Sequence, residues 1–168
     1  DYLLMVAALV PYKRVDVGIE VATRMGRPLH VVGEGPLAAR LRRQAGPQVR
    51  FLQRLGTEEL REQFRRAALL LVPNVEDFGM VTVEALACGT PVVGLSGSGT
   101  ADAVQSGVHG ELAPDGSPQA LVAACEQVLA RSWDRAALHR RAESFSRTRF
   151  RQRFGFLLER HVPGYRQA

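Results

Sequence analysis

The stretch ALLLVPNVEDFGMVTVEALACGTPVVGL, residues 68–95, decides the fold. It opens on ALLLVP (68–73), an apolar run too short for a free-standing helix and closed by proline, which is how a buried strand reads. NVEDFG is a loop. MVTVEALACG (80–89) is a short helix with Gly89 at its end. PVVGL (91–95) is a second apolar run. Neither run alternates apolar with polar residues, so both faces of each strand must be covered. A strand, a crossover helix and a strand buried on both faces form one unit of a parallel sheet.

The same reading extends in both directions. YLLMVAAL (2–9) is a strand, and VDVGIEVATRMG (15–26) a helix closed by Gly26. RPLHVVG (27–33) is a strand and PLAARLRRQAG (36–46) a helix with proline at its start. QVRFL (48–52) is a strand, and Thr57 is placed as the N-cap of TEELREQFRRA, with acids first and bases last. TADAVQSG is a short helix, VHGELA (108–113) a sixth strand, and SPQALVAACEQVLARS (117–132) a long helix capped by Ser117. Helical stretches at 133–145 and 147–161 finish the chain. The expected fold is α/β: a doubly wound, Rossmann-like parallel sheet of about six strands. Residues 1–130 form its core and 131–168 a set of C-terminal basic helices. Ligands bind such sheets at the carboxyl ends of the strands. The chemistry is therefore expected in LVPYKR, GEGP, QRLG, NVEDFGM and SGSGT.

A chain of 168 residues with 46% hydrophobic and 23% charged residues is long and apolar enough for a proper core. No apolar run approaches the roughly 18 residues of a membrane span. The chain opens at Asp1 and runs straight into a strand without a signal-peptide pattern, so it reads as a piece of a longer protein, cut at a domain boundary. Cys88 and Cys125 lack metal spacing and sit in apolar helical contexts, as reduced thiols of a cytoplasmic protein do. The net charge of +5 is uneven: residues 131–168 carry ten Arg against three acids, and the remainder is slightly acidic. Such a tail suits an anionic membrane surface, an acidic partner domain, nucleic acid or plain solvent. No basic groove interleaved with aromatics supports nucleic acid.

Lys13 is the only lysine among 22 strong bases, set just after a strand and just before a helix. That asks for a compact ammonium. In GEGP, Gly33 and Gly35 would let backbone approach a ligand, although a plain strand-to-helix turn needs the same residues. It is neither GxGxxG nor a Walker loop. In EDFGMVTVE (76–84), Glu76 and Glu84 have seven residues between them, with Phe78 and Gly79 before a helix start. The amides of Gly79, Met80 and Val81 would be unpaired there and would favour an anion. Eight residues at helical rise span about 12 Å, close to the reach from a hexose across a diphosphate to a ribose. On spacing alone, a loop acid and a surface helix acid fit equally. No metal is expected, because the segment holds no histidine and the chain no DxD motif. His30 and His109 read as structural, His139 and His161 as surface residues, and Asp102, Trp133, Phe145, Phe150, Phe154 and Phe156 as structural or packing groups.

EDFGMVTVEALACGTPVV resembles the signature segment of family 4 glycosyltransferases, the retaining group with the GT-B fold. LVPYKRVD, VVGEGP, VRFLQRLGTEEL and SGSGTADAVQSGVHGELAPD agree in order, from about residue 2 to residue 130. The resemblance implies the C-terminal, donor-binding half of a two-domain enzyme, with an N-terminal acceptor-binding half elsewhere; the helices of 131–168 would pack on the core and toward that half, and the stripe Phe150, Phe154 and Leu157 would suit the contact. It implies that Lys13 holds the donor diphosphate, that Glu76 contacts the transferred sugar, and that Glu84 binds the ribose. Gly79, Met80 and Val81 would donate to phosphate or sugar. Phe78, Gly33 and Gly35 would line the cleft, and Arg54 would border the base. Many relatives carry a second clamp, an arginine a few residues before the lysine. Here that place is Ala8 or Leu9, so Arg14 either takes the role or points to solvent. YKRVD is most similar to O-antigen-type mannosyltransferases, which favours GDP-mannose over a UDP-sugar. The implied acceptor is a glycan or a lipid-linked glycan, and the implied location is the cytoplasm or the cytoplasmic face of a membrane. A non-catalytic nucleotide-binding module is the alternative.

Overall fold

A computed structural model describes residues 2–162. Six strands form one sheet: β1 (Leu3–Val6), β2 (Leu29–Val32), β3 (Val49–Leu52), β4 (Leu69–Leu71), β5 (Val92–Leu95) and β6 (Gly110–Ala113). Their order is β3-β2-β1-β4-β5-β6, and every pairing is parallel. Leu3 stands opposite Leu29 on one side and Leu69 on the other. The chain thus winds outward from β1 twice, in opposite directions, and the two halves meet between β1 and β4.

The helices are α1 (Val15–Met25), α2 (Ala38–Gln44), α3 (Thr57–Arg66), α4 (Met80–Ala87), α5 (Thr100–Ala103), α6 (Pro118–Leu129), α7 (Arg135–Glu143) and α8 (Arg147–His161). They cover the sheet on both faces because successive strand residues point to opposite sides. Leu3, Met5, Leu69 and Leu71 join Val21, Leu41 and Leu121 on the face of α1, α2 and α6. Leu4 and Leu70 join Phe64, Leu86 and Leu138 on the face of α3, α4 and α7. Two-sided burial is why the strands read as unbroken apolar runs.

Several boundaries differ from expectation. The chain leaves β1 at Val6, yet its extension stays tied to that of β2, with Ala7 N donating to Val32 O (3.0 Å) and Leu9 N to Glu34 O (2.9 Å). The cap of α3 is Gly56, whose amide is held by the Glu59 carboxylate (2.9 Å), and Thr57 is already the first helical residue. The helix expected over TADAVQSG stops at Ala103, where Val104 turns extended. Ser117 does cap α6, accepting from Ala120 N at 3.3 Å. Ser117→Ala should therefore cost about 1 kcal/mol, read as a lower midpoint of thermal unfolding.

Among the aromatic residues expected to pack, Trp133 and Phe145 are half-buried. Phe150, Phe154 and Phe156 are 62%, 49% and 61% exposed, so none of them packs into the core of this domain. They lie on α8, where only Gly155 is buried and Leu158 half-buried; Phe150, Phe154 and Leu157 line an open apolar depression with Phe78 and Phe145. Cys125 is buried, which pushes its thiol up to about 12, and Cys88 is half-buried; both are free thiols. His109 Nδ1 accepts from Gln105 N at 3.1 Å, a structural contact, and burial followed by Arg141 pushes its pKa down.

Candidate functional site

Doubly wound sheets open a crevice where the strand order reverses, beyond the carboxyl ends of the strands. Here that crevice lies between the loops after β1 and β4. Residues 63 apart in sequence meet in it: Lys13 Nζ forms an ion pair with Glu76 Oε1. Their side chains are 17% and 15% exposed, so the pair is partly desolvated but open on one side.

Each partner is placed by its own loop. Pro11–Lys13 is a 3-10 turn, started by proline and closed by Lys13 N donating to Val10 O (3.2 Å) and Arg14 N to Pro11 O (3.2 Å). The turn carries Lys13 from the end of β1 toward the start of α1. Its ammonium also stands 5.1 Å from the centroid of the Tyr12 ring. On the other side, Asn74 is buried behind Glu76 and donates from Nδ2 to Glu76 Oε1 (2.9 Å) and to Val75 O (3.0 Å). Gly99 N, in the loop after β5, donates to Glu76 O at 2.7 Å. Side chain and main chain of Glu76 are thus held from two directions.

Gly79 follows, with φ +77°, and is the N-cap of α4. Among the described residues, none of the amides of Gly79, Met80 and Val81 donates a hydrogen bond. Three free N–H groups at a helix start make a site for negative charge. They lie within five residues of Glu76 in sequence, so the paired carboxylate and the helix start are contiguous. The buried hydroxyl of Thr82, just inside the same turn, also lacks a partner among the described residues.

Glu84 lies further along α4, beside a surface depression of about 560 Å³ lined in part by Leu55, Leu60, Phe64 and Cys88. This is the side of the loop after β3. Partial desolvation raises the pKa of its carboxyl. Arg54 is exposed in that loop. Phe78 is 41% exposed and packs edge-on against Phe145, with ring centroids 5.6 Å apart.

Arg14 stands in the left-handed region (φ 50°, ψ 39°), the only non-glycine residue with positive φ among the described residues. Its carbonyl accepts from Val17 N and Gly18 N to open α1. Its guanidinium pairs with Asp16 at 3.8 Å and is half-exposed. Gly33 and Gly35 have a structural reason to be glycine. A Cβ on Gly33 would stand 2.0 Å from Ala7 O, and one on Gly35 2.6 Å from Leu9 O. The close approach is to the loop after β1, which carries Lys13.

Among the described residues no group of three His, Cys, Asp or Glu side chains is placed to hold a metal ion. None of their helices is long and apolar enough to cross a membrane. Two residues of the site escaped sequence reasoning, Asn74 and Gly99. Both lay in loops already marked for chemistry, and neither carries a charge that would single it out.

Comparison with known proteins gives the family and the fold. A D-inositol 3-phosphate glycosyltransferase of Geodermatophilus obscurus is 38% identical over 151 residues, covering 77% of this chain and 33% of that protein. An uncharacterized glycosyltransferase of Methanocaldococcus jannaschii is 28% identical over 173 residues, covering all of this chain and 47% of its own length. The chain spans about a third to a half of these relatives. Among solved structures, the lipopolysaccharide outer core galactosyltransferase WaaB in its apo form superposes with a TM-score of 0.85 at 19% identity, over 96% of this chain and 49% of that one. Anabaena HepE in complex with UDP superposes with a TM-score of 0.77 at 22% identity, over 95% and 49%. At such identities the superpositions show the fold. The family is shown by sequence: the model described as "Glycosyl transferases group 1" matches residues 1–145, and the chain belongs to that family.

Proposed function

We propose that this domain is the donor-binding half of a retaining hexosyltransferase. The observation that carries the reading is the Lys13–Glu76 pair set beside the free amides of Gly79, Met80 and Val81 at the sheet's switch point. In this reading the donor diphosphate lies between the Lys13 ammonium and the start of α4. Glu76 accepts from hydroxyls of the sugar, and Glu84 accepts from the ribose hydroxyls. Phe78, Gly33 and Gly35 border the cleft, and Arg54 borders the base. Arg14 is left to Asp16 and does not clamp the phosphates.

The chemistry asks the protein for charge stabilisation. The bond between the anomeric carbon and the phosphate oxygen breaks, positive charge grows on the ring, and negative charge grows on the diphosphate. An ammonium and a helix start aimed at that oxygen stabilise this charge more in the transition state than in the ground state. The acceptor hydroxyl bonds to the anomeric carbon on the face the phosphate leaves. Its proton passes to the departing phosphate, and the leaving charge is met without a metal ion.

The donor we propose is GDP-mannose, on the likeness of YKRVD, with no arginine before it, to O-antigen-type mannosyltransferases. A UDP-sugar is the second reading, favoured by the similar fold of HepE solved with UDP and glucose. The acceptor is a glycan or a lipid-linked glycan at the cytoplasmic face of a membrane. In this reading an N-terminal half supplies its site and covers the exposed stripe of α8, whose arginines also suit anionic lipid.

Calorimetric titration of the full-length protein with GDP, UDP, GDP-mannose and UDP-glucose tests this. One base should bind. Glu84→Ala should then weaken it by about 1–3 kcal/mol, the value of a hydrogen bond to a charged group. Binding of neither base, or binding indifferent to Glu84, sinks the reading.

A further inference from the structure

We infer that Asn74 is a positioning residue for the transferred sugar: it fixes Glu76 so that Oε2 is the oxygen offered to substrate. This rests on the donor-site reading above. Asn74 is 4% exposed, in the loop three residues beyond the end of β4 and next to Pro73. Its Nδ2 reaches two acceptors, the Glu76 carboxylate and the Val75 carbonyl, so the amide must present its nitrogen on that side. The Lys13 ammonium binds the same carboxylate oxygen. Both protein donors are therefore spent on Oε1, and no described contact falls on Oε2.

The division has a chemical consequence. A carboxylate can accept about four hydrogen bonds. With Oε1 gripped by a charge that can shift toward phosphate when a donor arrives, the neutral amide is the fixed half of the grip. Lys13 can lean toward the diphosphate without releasing the Glu76 rotamer, because Asn74 still holds it. A carboxylate free to rotate would still let nucleoside diphosphate bind, since the phosphates meet Lys13 and the start of α4. It would lose its aim at the sugar in the transition state, where orientation counts most. Asn74 should thus act on turnover and leave nucleotide affinity alone.

The test uses full-length protein and two variants, Asn74→Ala and Asn74→Asp. Aspartate keeps the size but sets an acceptor against the Glu76 oxygen. Two quantities are read: affinity for GDP and UDP, and turnover of GDP-mannose and UDP-glucose to free nucleoside diphosphate. For Asn74→Ala, kcat should fall about tenfold or more, the worth of one charged hydrogen bond. KM and nucleoside diphosphate affinity should stay within about twofold. Asn74→Asp should fall at least as far, because shape without a donor cannot restore the grip. Wild-type turnover in Asn74→Asp would show a space-filling role and overturn the inference. So would parallel losses of nucleotide affinity and kcat in both variants, the mark of a collapsed loop. A wild-type protein that binds nucleotide and turns over neither sugar nucleotide would instead overturn the donor reading, and this inference with it.

Discussion

Replacing Lys13 with alanine in the full-length protein is expected to slow sugar-nucleotide turnover by about 10²–10³-fold, the loss typical when one preorganised donor to a developing charge is removed. The size follows from where the ammonium stands. It sits on a turn fixed by two main-chain hydrogen bonds, and Glu76 holds its tip at the mouth of the cleft. Once the ammonium has leaned toward the bound diphosphate, little reorganisation is left for the moment of bond cleavage. Its side chain is largely shielded, so solvent screens the interaction less than at an open surface. Most of the loss should appear in kcat, because the leaving oxygen gains its charge only as the bond breaks. Lys13→Arg should not restore activity: a planar guanidinium is larger than the ammonium that the Asn74–Glu76 corner accommodates. Steady-state kinetics on the three proteins decides it. A kcat for Lys13→Ala within a few-fold of wild type would mean that the α4 amides carry the leaving charge by themselves.

How much of this was legible follows from which interactions are local. The strands were readable because two-sided burial leaves unbroken apolar runs, and Leu69–Leu71 between two turns has no other use. Their order was not, since no residue of β1 announces that its neighbour is β4. The meeting of Lys13 and Glu76 is a product of that order, which is why spacing could suggest a role for each but never the pair. Family likeness supplied the roles, and topology supplies the contact. Gly33 and Gly35 could not be decided by type, because a ligand and a strand-to-helix turn both ask for glycine; the structure adds that their missing side chains make room for the backbone of Ala7 and Leu9. Arg14 was left between two roles because its direction depends on a left-handed backbone torsion, which no pattern of side chains reveals. On α8 periodicity marks a face for burial but cannot say against what; the N-terminal domain as its partner came from the resemblance. Asn74 is invisible to sequence reading for a similar reason. A neutral amide gains meaning only from the two acceptors on one side of it.

The second large effect is expected at Gly99. A Cβ there would stand 2.0 Å from Asp77 O and 2.7 Å from Phe78 N, against backbone that cannot swing aside as a side chain can. The same residue donates its amide to Glu76 O. Gly99→Ala must therefore push the loop after β5 away from the loop after β4, stretching the bond that holds the Glu76 main chain. Overpacking of this kind costs about 1–3 kcal/mol, a fall in the thermal midpoint of about 2–4 °C per kcal/mol for a domain of this size. Turnover should fall further than stability does, because a displacement near 1 Å at a reacting centre can cost about 10²-fold. Gly97→Ala is the matched control two residues away. Nothing stands within 4 Å of its Cβ, so it should stay within about 0.5 kcal/mol of wild type and keep full turnover. Thermal unfolding and kinetics on the pair separate a tight junction from a tolerant one. If Gly99→Ala behaves as Gly97→Ala does, the two loops yield to each other, and the placement of Glu76 rests on Lys13 and Asn74 alone.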